Sequence, residues 1–329
     1  MILHYDQQPL IEATDAADEG ILDGRAVAAA MREQLASIAA ELSERGIEPS
    51  LHVVQVGEQE ASTIYVKHKI RACNEIGIRA SHHRLPEEIT EPRLHRRLED
   101  LSADEDVNGI LLQLPLPAHI DDTAITRRMD PTKDVDGFHP VNLGCLMTRR
   151  SLLEPCTPTG ILTLLSAAGI DPQGKEAVVI GRSVIVGRPT AMMLTRADAT
   201  VTICHRHTAD LEQAVRRAEL LVVATGVAEL VPGEWIRPGA VVVDVGISRK
   251  DGQLTGDVQF ESARKRARWI TPVPGGVGPM TVATVLENTL RATCMQHGLV
   301  VRDGQLLSAG EAGLRFESVQ GLKLMRLHQ

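Results

Sequence analysis

The chain has 329 residues, of which 43% are hydrophobic and 24% charged, and a formal net charge of −8. That length is too great for one ordinary core and comfortable for two domains, and an acidic chain whose basic residues cluster only at 264–268 argues against nucleic-acid binding. Five cysteines with no CxxC pair argue against a disulfide framework or a zinc site. No apolar run is long enough to cross a bilayer, and the acidic N-terminus lacks a basic-then-apolar signal pattern, so a cytoplasmic protein without membrane or metal is expected. Aromatics make up only 2% of the chain, so the core must be aliphatic.

Residues 1–20 show no sustained periodicity and read as an N-terminal extension. From Asp23-Gly24 an amphipathic pattern rich in Ala, Leu, Glu and Arg predicts a long helix, stopped by Gly46. Residues 51–57 read as a buried strand, 61–76 as a helix ending at Gly77, and 91–103 as a helix with Pro92 near its start. Residues 109–117 form a second apolar strand, ended by its two prolines. Strand alternating with helix implies right-handed βαβ units and a mostly parallel sheet. The segment 131–158, rich in Pro, Gly and polar residues, reads as a connection between domains with a functional loop at its start.

A second α/β series follows: strand 175–181, helix 186–197, strand 201–206, helix 208–218, then strands 219–226 and 240–247. The run Arg264-Lys265-Arg266-Ala267-Arg268 reads as the solvated face of a helix. Residues 269–278 end the series, and a last helix starts at Met280. Beyond about residue 297 lies a tail with a hairpin expected around Asp303-Gly304. The fold class is therefore two α/β domains, the C-terminal one a Rossmann-like doubly wound parallel sheet. The expected division is an extension at 1–20, a first domain at 21–150 completed by the helix at about 280–297, a second domain at 151–279, and a tail at 298–329.

Gly181-Arg182-Ser183-Val184-Ile185-Val186-Gly187-Arg188-Pro189 sits where a strand gives way to a helix. Free backbone N–H groups and the positive helix end there suit a pyrophosphate. Gly181 permits the tight turn and Gly187 a close helix–strand approach. Ser183 holds the middle glycine position of GxGxxG, so the motif alone is weak, since many βα turns carry two glycines for packing. The next strand ends in Cys204-His205-Arg206-His207, with no acid to hold a ribose 2′-hydroxyl. Arg182 and Arg206 together suit a 2′-phosphate, which favours NADP over NAD, although either arginine alone reads as an ordinary surface residue. His205 and His207 lack a third ligand and read as turn histidines.

Tyr65 and Lys69 lie at i and i+4 on the helix 61–76 and share one face. A flat aromatic beside an ammonium suits a flat, conjugated, anionic substrate; a half-exposed helix with snorkelling lysines is the plainer reading. Gln113, within the apolar run 109–117, needs hydrogen-bond partners. It is either a satisfied structural amide or a group reaching into a site to hold a lysine. Asp134-Val135-Asp136-Gly137-Phe138 places two acids in a Gly-bounded loop without metal-ligand spacing; one carboxylate binding the N–H groups of a heterocycle fits better. Thr271 to Pro279 (TPVPGGVGP) is a rigid loop, poor in side chains, that can bring backbone against a ligand.

These segments, in this order, resemble the bifunctional methylenetetrahydrofolate dehydrogenase/cyclohydrolase family, from about Leu22 to about Thr293. The stretches that carry the resemblance are YVKHK, LLQLPLP, KDVDGFHP, GRSVIVGRP and TPVPGGVGPMTVA. The resemblance implies a folate-binding catalytic first domain, an NADP-binding second domain, a cleft between them, and a homodimer. It further implies that Tyr65 stacks on the aminobenzoate ring of a tetrahydrofolate derivative, that Lys69 is the catalytic lysine, that Gln113 hydrogen-bonds and tunes it, and that Asp136 holds the pterin. Leu112, Leu114 and the loop Pro274, Gly275, Gly276, Val277 and Gly278 fall on the substrate side. Gly181, Arg182, Ser183, Val186, Gly187, His205, Arg206 and Ile247 fall on the cofactor side; at Arg206 many relatives have serine. Purine biosynthesis is the implied context.

The chain departs from the family at Gln59-Glu60, where relatives commonly show Asp-Pro, and in its N-terminal arm and longer tail. A dehydrogenase-only paralogue and a non-catalytic NADP-binding protein are the competing readings. Retention of Tyr65, Lys69, Gln113 and Asp136 argues against the second.

Overall fold

The computed structural model describes residues 10, 12, 20–148, 152–302, 305–312, 315–319 and 322–326. Most of the N-terminal extension therefore lies outside the described residues, although Leu10 is helical and fully buried. The chain forms two compact units, one built on Arg32–Cys156 and Val282–Gln329, the other on Gln7–Met31 and Thr157–Thr281. The first helix, α1 (Gly24–Glu44), contributes to both.

In the first unit the order is β1 (Ser50–Val56), α2 (Glu60–Glu75), β2 (Arg79–Leu85), α3 (Glu91–Ala103) and β3 (Gly109–Leu112). The strands make a three-stranded parallel sheet in the order β2-β1-β3. On α3, Leu94, Leu98 and Leu101 recur at helical spacing and pack on Val54, Val56, Ile110 and Leu112 of the sheet. A short helix, α4 (Asp122–Thr126), is capped by Asp121, whose Oδ1 accepts from Thr123 N at 2.9 Å and Ala124 N at 3.0 Å.

Two features depart from the sequence reading. Strand β2, RASHHRL, carries almost no apolar residue and is invisible to hydrophobic periodicity. It is a sheet edge, held by parallel pairing to β1 rather than by burial of its own side chains. The segment 131–158 is not a bare connection, since it contains helix α5 (Pro140–Thr148) and the start of α6 (Cys156–Ala167). Pro140 sits at the first helical position, where its missing N–H costs nothing.

The edge strand also carries a histidine relay. Arg97 Nη2 lies 2.9 Å from His83 Nδ1, and His83 Nε2 lies 2.9 Å from His52 Nδ1, with the two rings stacked. Arginine only donates, so His83 Nδ1 accepts and its Nε2–H donates to His52. Burial, aided by the neighbouring His83, which would compete for the charge, and by the Arg79 cation, pushes the His52 imidazole from 6.5 down to about 4. The unfolded chain then binds more protons than the native state as pH falls from 6.5 toward about 4, so His52 contributes stability that is lost across that window. His52→Gln is expected to narrow its Tm difference from the parent as the pH is lowered through the window. A Tm difference independent of pH would refute the assignment.

The second unit runs β4 (Glu176–Ile180), α7 (Gly187–Arg196), β5 (Thr200–Cys204), α8 (Leu211–Arg217), β6 (Leu220–Val223), β7 (Val241–Asp244), hairpin strands β8 (Ser248–Lys250) and β9 (Gln253–Thr255), α9 (Phe260–Arg264) and β10 (Trp269–Ile270). The parallel sheet has the order β10-β7-β6-β4-β5. Strands β4, β6 and β7 are Val/Leu/Ile runs because both faces are covered. The chain leaves β4 to one side for β5 and then to the other for β6, so the carboxyl end of β4 is a topological switch point. The basic run 264–268 is not a helix face: it begins at the last residue of α9 and continues through a turn into β10.

Helix α10 (Val277–Gln296) starts three residues before Met280 and runs into the first unit at Val282. Strands β11 (Leu299–Arg302) and β12 (Gln305–Ser308) pair antiparallel, as a hairpin requires, while Asp303 and Gly304 themselves lie outside the described residues. This ribbon belongs to the first unit and is held to the end of α1, where Arg45 Nη2, just past the helix, donates to the Leu306 carbonyl and Glu41 Oε2 accepts from Leu306 N at 3.3 Å. Strands β13 (Arg315–Val319) and β14 (Leu322–Arg326) form a further antiparallel pair. Among the described residues, no helix is long and apolar enough to cross a membrane.

Candidate active site

In the first unit, α2 presents Tyr65 at 36% exposure and Lys69, one turn later, at 6%. A buried ammonium needs partners. Lys69 Nζ donates to Gln113 Oε1 at 3.3 Å. Gln113 follows β3 directly and extends its pairing, since its N–H donates to Val54 O at 2.9 Å. Its Nε2 donates to Leu114 O at 2.6 Å, which fixes the amide with its oxygen toward the lysine. No other hydrogen bond is formed by the Lys69 ammonium among the described residues, so two of its three N–H donors remain for a ligand. Leu112 is buried in β3 and Leu114 half-buried beside Gln113, before the cis peptide Leu114–Pro115.

The two acids of the Asp134–Gly137 loop have different fates. Residues around Asp134 pair along β3, with Ile110 N donating to Lys133 O at 2.6 Å and Val135 N to Ile110 O at 3.2 Å. Asp134 Oδ2 accepts from His139 N at 2.6 Å and from Asn142 Nδ2 at 3.1 Å, so this carboxylate is consumed by the fold. Burial pushes its pKa up to about 7. Asp136 is also buried, yet its carboxylate accepts no hydrogen bond among the described residues. Burial raises its pKa, and the charge of Lys69 opposes the rise. A desolvated carboxylate without a donor, within reach of a lysine's field, is the arrangement expected of a ligand-binding group.

The side chain that braces this loop comes from far along the chain. Asn288, on the buried face of α10, donates through Nδ2 to Val135 O and Glu154 O, both at 2.8 Å, and so clamps the loop from either side. An asparagine among Val, Leu and Ala was the available signal. Gly137, at φ +74, has no room for a Cβ, which would lie 2.5 Å from the Glu154 carbonyl carbon. Cys156 donates to Val135 O at 3.1 Å, and burial raises its thiol well above the ordinary range.

The remaining expected site residues belong to the second unit. Gly181, at φ +120, ends β4; a Cβ there would lie 2.2 Å from Ala224 O, and one on Gly187 would lie 2.2 Å from Gly181 O. Only bare backbone fits at either position. Ser183 alters the expectation for the helix end. Its Oγ accepts from Val186 N at 3.1 Å and Gly187 N at 3.2 Å, and its carbonyl accepts from Arg188 N at 3.0 Å. The first N–H groups of α7 are thus spent on Ser183, and the amides left open are those of residues 182–185, in the turn itself. This turn, with its close-packed glycines and open amides, fits a dinucleotide pyrophosphate.

Arg182 and Arg206 are exposed at this same carboxyl edge of the sheet, after β4 and β5. Arg206 Nε donates to His207 Nε2 at 3.0 Å, leaving its terminal nitrogens for a ligand. His205 Nδ1 accepts from His207 N at 3.1 Å, the geometry of an ordinary turn. Ile247, 43% exposed, follows β7 along the same edge. The loop Pro274–Gly276 follows β10 and is braced by Arg25, whose Nη2 donates to Pro274 O at 2.9 Å; Val277 and Gly278 form the first turn of α10. Gly24 packs so tightly on this loop that a Cβ would lie 1.8 Å from Gly276 O.

Comparison with known proteins agrees with both halves. Residues 22–136 match the family model of the tetrahydrofolate dehydrogenase/cyclohydrolase catalytic domain, and residues 155–297 match that of the NAD(P)-binding domain. The chain belongs to the tetrahydrofolate dehydrogenase/cyclohydrolase family. A bifunctional methylenetetrahydrofolate dehydrogenase/cyclohydrolase from Campylobacter jejuni is 47% identical, with a TM-score of 0.82 over 83% of this chain and 98% of that one. The Trypanosoma brucei enzyme, solved with NADP cofactor and an inhibitor, is 42% identical, with a TM-score of 0.79 over 82% and 96%. The Thermoplasma acidophilum enzyme is 36% identical, with a TM-score of 0.79 over 84% and 99%. Family membership accounts for the two α/β units and the Rossmann-like parallel sheet.

Proposed function

We propose that this family member oxidises 5,10-methylenetetrahydrofolate with NADP⁺ and hydrolyses the resulting 5,10-methenyl compound to 10-formyltetrahydrofolate. The observation that carries the reading is the buried Lys69 ammonium, bonded to Gln113 Oε1 at 3.3 Å and acting electrostatically on an unspent Asp136 carboxylate. Asp136 accepts from the pterin ring N–H and amine, Tyr65 stacks on the aminobenzoate ring, and Leu112, Leu114 and the backbone of Pro274 to Gly278 flank the substrate.

Bound at the Gly181 turn, NADP⁺ supplies the hydride acceptor. The lone pairs of N5 and N10 stabilise the cation that forms, so the protein's part in this step is orientation. In the hydrolytic step water adds to the methenyl carbon and the carbon–N5 bond then breaks, leaving the formyl group on N10; Lys69 relays one proton of that water to N5, the other is released to solvent, and Gln113 holds the amine in place. Gly181, Arg182, Ser183, Val186, Gly187, His205, Arg206 and Ile247 hold the cofactor, with Arg182 and Arg206 on its 2′-phosphate. The homodimeric, cytoplasmic and purine-biosynthetic parts of the reading rest on the family resemblance; sedimentation of the purified protein tests the dimer.

The decisive assay follows methylenetetrahydrofolate oxidation with NADP⁺ and with NAD⁺. Replacing both Arg182 and Arg206 with alanine is expected to weaken NADP⁺ by about 10-fold or more, the loss of one or two charge-assisted hydrogen bonds, while NAD⁺ changes little. Equal losses with both cofactors would show that the two arginines do not meet the 2′-phosphate, and no turnover with either would remove the dehydrogenase assignment.

A further inference from the structure

The second unit holds two buried aspartates that the proposed mechanism leaves unused. Asp257 is 0% exposed. Its Oδ2 accepts three hydrogen bonds from a single turn: Thr225 N at 2.6 Å, Thr225 Oγ1 at 2.8 Å and Gly226 N at 3.0 Å. Its Oδ1 is buried without a partner. Asp244, at the end of β7, fixes the segment that carries Asp257: its Oδ1 accepts from Asp257 N at 2.9 Å and Gly246 N at 3.1 Å, and its Oδ2 from Val258 N at 2.8 Å. A Cβ on Gly246 would lie 1.9 Å from Asp257 Oδ1, and one on Gly256 would lie 2.0 Å from Asp244 Oδ2. The packing around both carboxylates admits no side chain at either glycine.

This lattice leads to the nucleotide edge. The Thr225–Gly226 turn continues from Ala224, whose N–H donates to Ile180 O at 2.8 Å and whose carbonyl lies against Gly181, 2.2 Å from where a Cβ would stand. From Asp244 the chain passes through Gly246 to Ile247. One acidic anchor therefore ties together the loops after β6 and β7, and the first of these abuts the turn after β4. The residues proposed for hydrolysis belong to the other unit.

We propose that Asp257 is a positioning residue for the dehydrogenase step: its carboxylate sets the Thr225–Gly226 turn and, through Ala224, the Gly181 turn in the shape that receives NADP⁺. The proposal rests on the dinucleotide reading of that edge. An oxygen accepting two N–H groups and a hydroxyl away from water is a strong anchor, because water cannot replace it there. Without it Gly226, at φ +71, is free to leave its conformation, and cofactor binding must then bear the ordering of the turn.

The test compares Asp257→Ala, Asp257→Asn and Thr225→Val with the parent protein. Each preparation is assayed for the KM of NADP⁺ in the dehydrogenase reaction and, without nucleotide, for hydrolysis of methenyltetrahydrofolate. Asp257→Ala is expected to raise the KM for NADP⁺ by about 10-fold or more and to leave hydrolysis nearly unchanged. Asp257→Asn keeps an acceptor oxygen for the turn and places its amide where Oδ1 has no partner, so it is expected to restore KM close to the parent value. Thr225→Val removes one of the three donors and is expected to raise KM by less. Parallel loss of both activities in Asp257→Ala without rescue by Asp257→Asn would mean general support of the fold and overturn the proposal; so would an unchanged KM. Should Asp257→Ala fail to fold, Thr225→Val decides alone: a raised KM with intact hydrolysis supports positioning, and an unchanged KM overturns it. A parent protein that reduces no NADP⁺ would refute the proposed function itself, a separate outcome.

Discussion

Lys69→Met is expected to lower methenyltetrahydrofolate hydrolysis by about 10²–10⁴-fold, the range a positioned proton-transfer group contributes. Methionine has nearly the same length and can occupy the same buried position, so the fold should tolerate it; what disappears is the amine that Gln113 Oε1 holds at 3.3 Å. The dehydrogenase step should fall much less, because hydride transfer depends on the placement of the two reactants and requires no proton from the protein. Stopped-flow absorbance of the methenyl compound, with and without nucleotide, separates the two. Hydrolysis that survives the substitution would remove Lys69 from the mechanism.

Asp136→Ala is expected to weaken methylenetetrahydrofolate binding by about 10- to 100-fold, the equivalent of one or two hydrogen bonds to a charged group. Its thermal stability should be unchanged or higher. The carboxylate is buried and accepts no hydrogen bond among the described residues, and burial outweighs the attraction of Lys69 and raises its pKa, so in the empty protein its desolvation costs more than that attraction returns. Asp134→Ala provides the contrast. Removing it orphans His139 N and one of the two N–H groups of Asn142 Nδ2, the other still donating to Pro131 O, and is expected to cost about 1–3 kcal/mol per unsatisfied donor in stability. Thermal melts together with substrate titrations of both variants check this. A melt in which Asp136→Ala is the more damaged protein would show the two roles reversed.

Two basic side chains at consecutive βα turns, Arg182 and Arg206, with no acid closing β5, have a direct electrostatic meaning in the sequence, and the proposed NADP⁺ preference rests on it. Gln113 was visible as one amide in an apolar strand, although its two readings stayed open until the structure placed Lys69 Nζ on its oxygen. Three things were hidden. Edge strand β2 carries polar side chains and owes its existence to pairing with β1, a contact that local pattern cannot show. Ser183 looked like a defective glycine position, whereas its hydroxyl caps the following helix and shifts the open amides into the turn. Helix α5 lay inside a segment whose Pro and Gly content reads as a connection.

By itself, the sequence determined the alternation of strand and helix, the common face of Tyr65 and Lys69, and the glycine turns, because each follows from backbone preference and side-chain period within a few residues. Tertiary structure alone decided which of two neighbouring acids is free. Asp134 is consumed by His139 and Asn142, while the loop that carries Asp136 is clamped by Asn288 from a helix more than a hundred residues away. The availability of a buried polar group depends on whether partners arrive from distant chain, and no local pattern encodes that arrival.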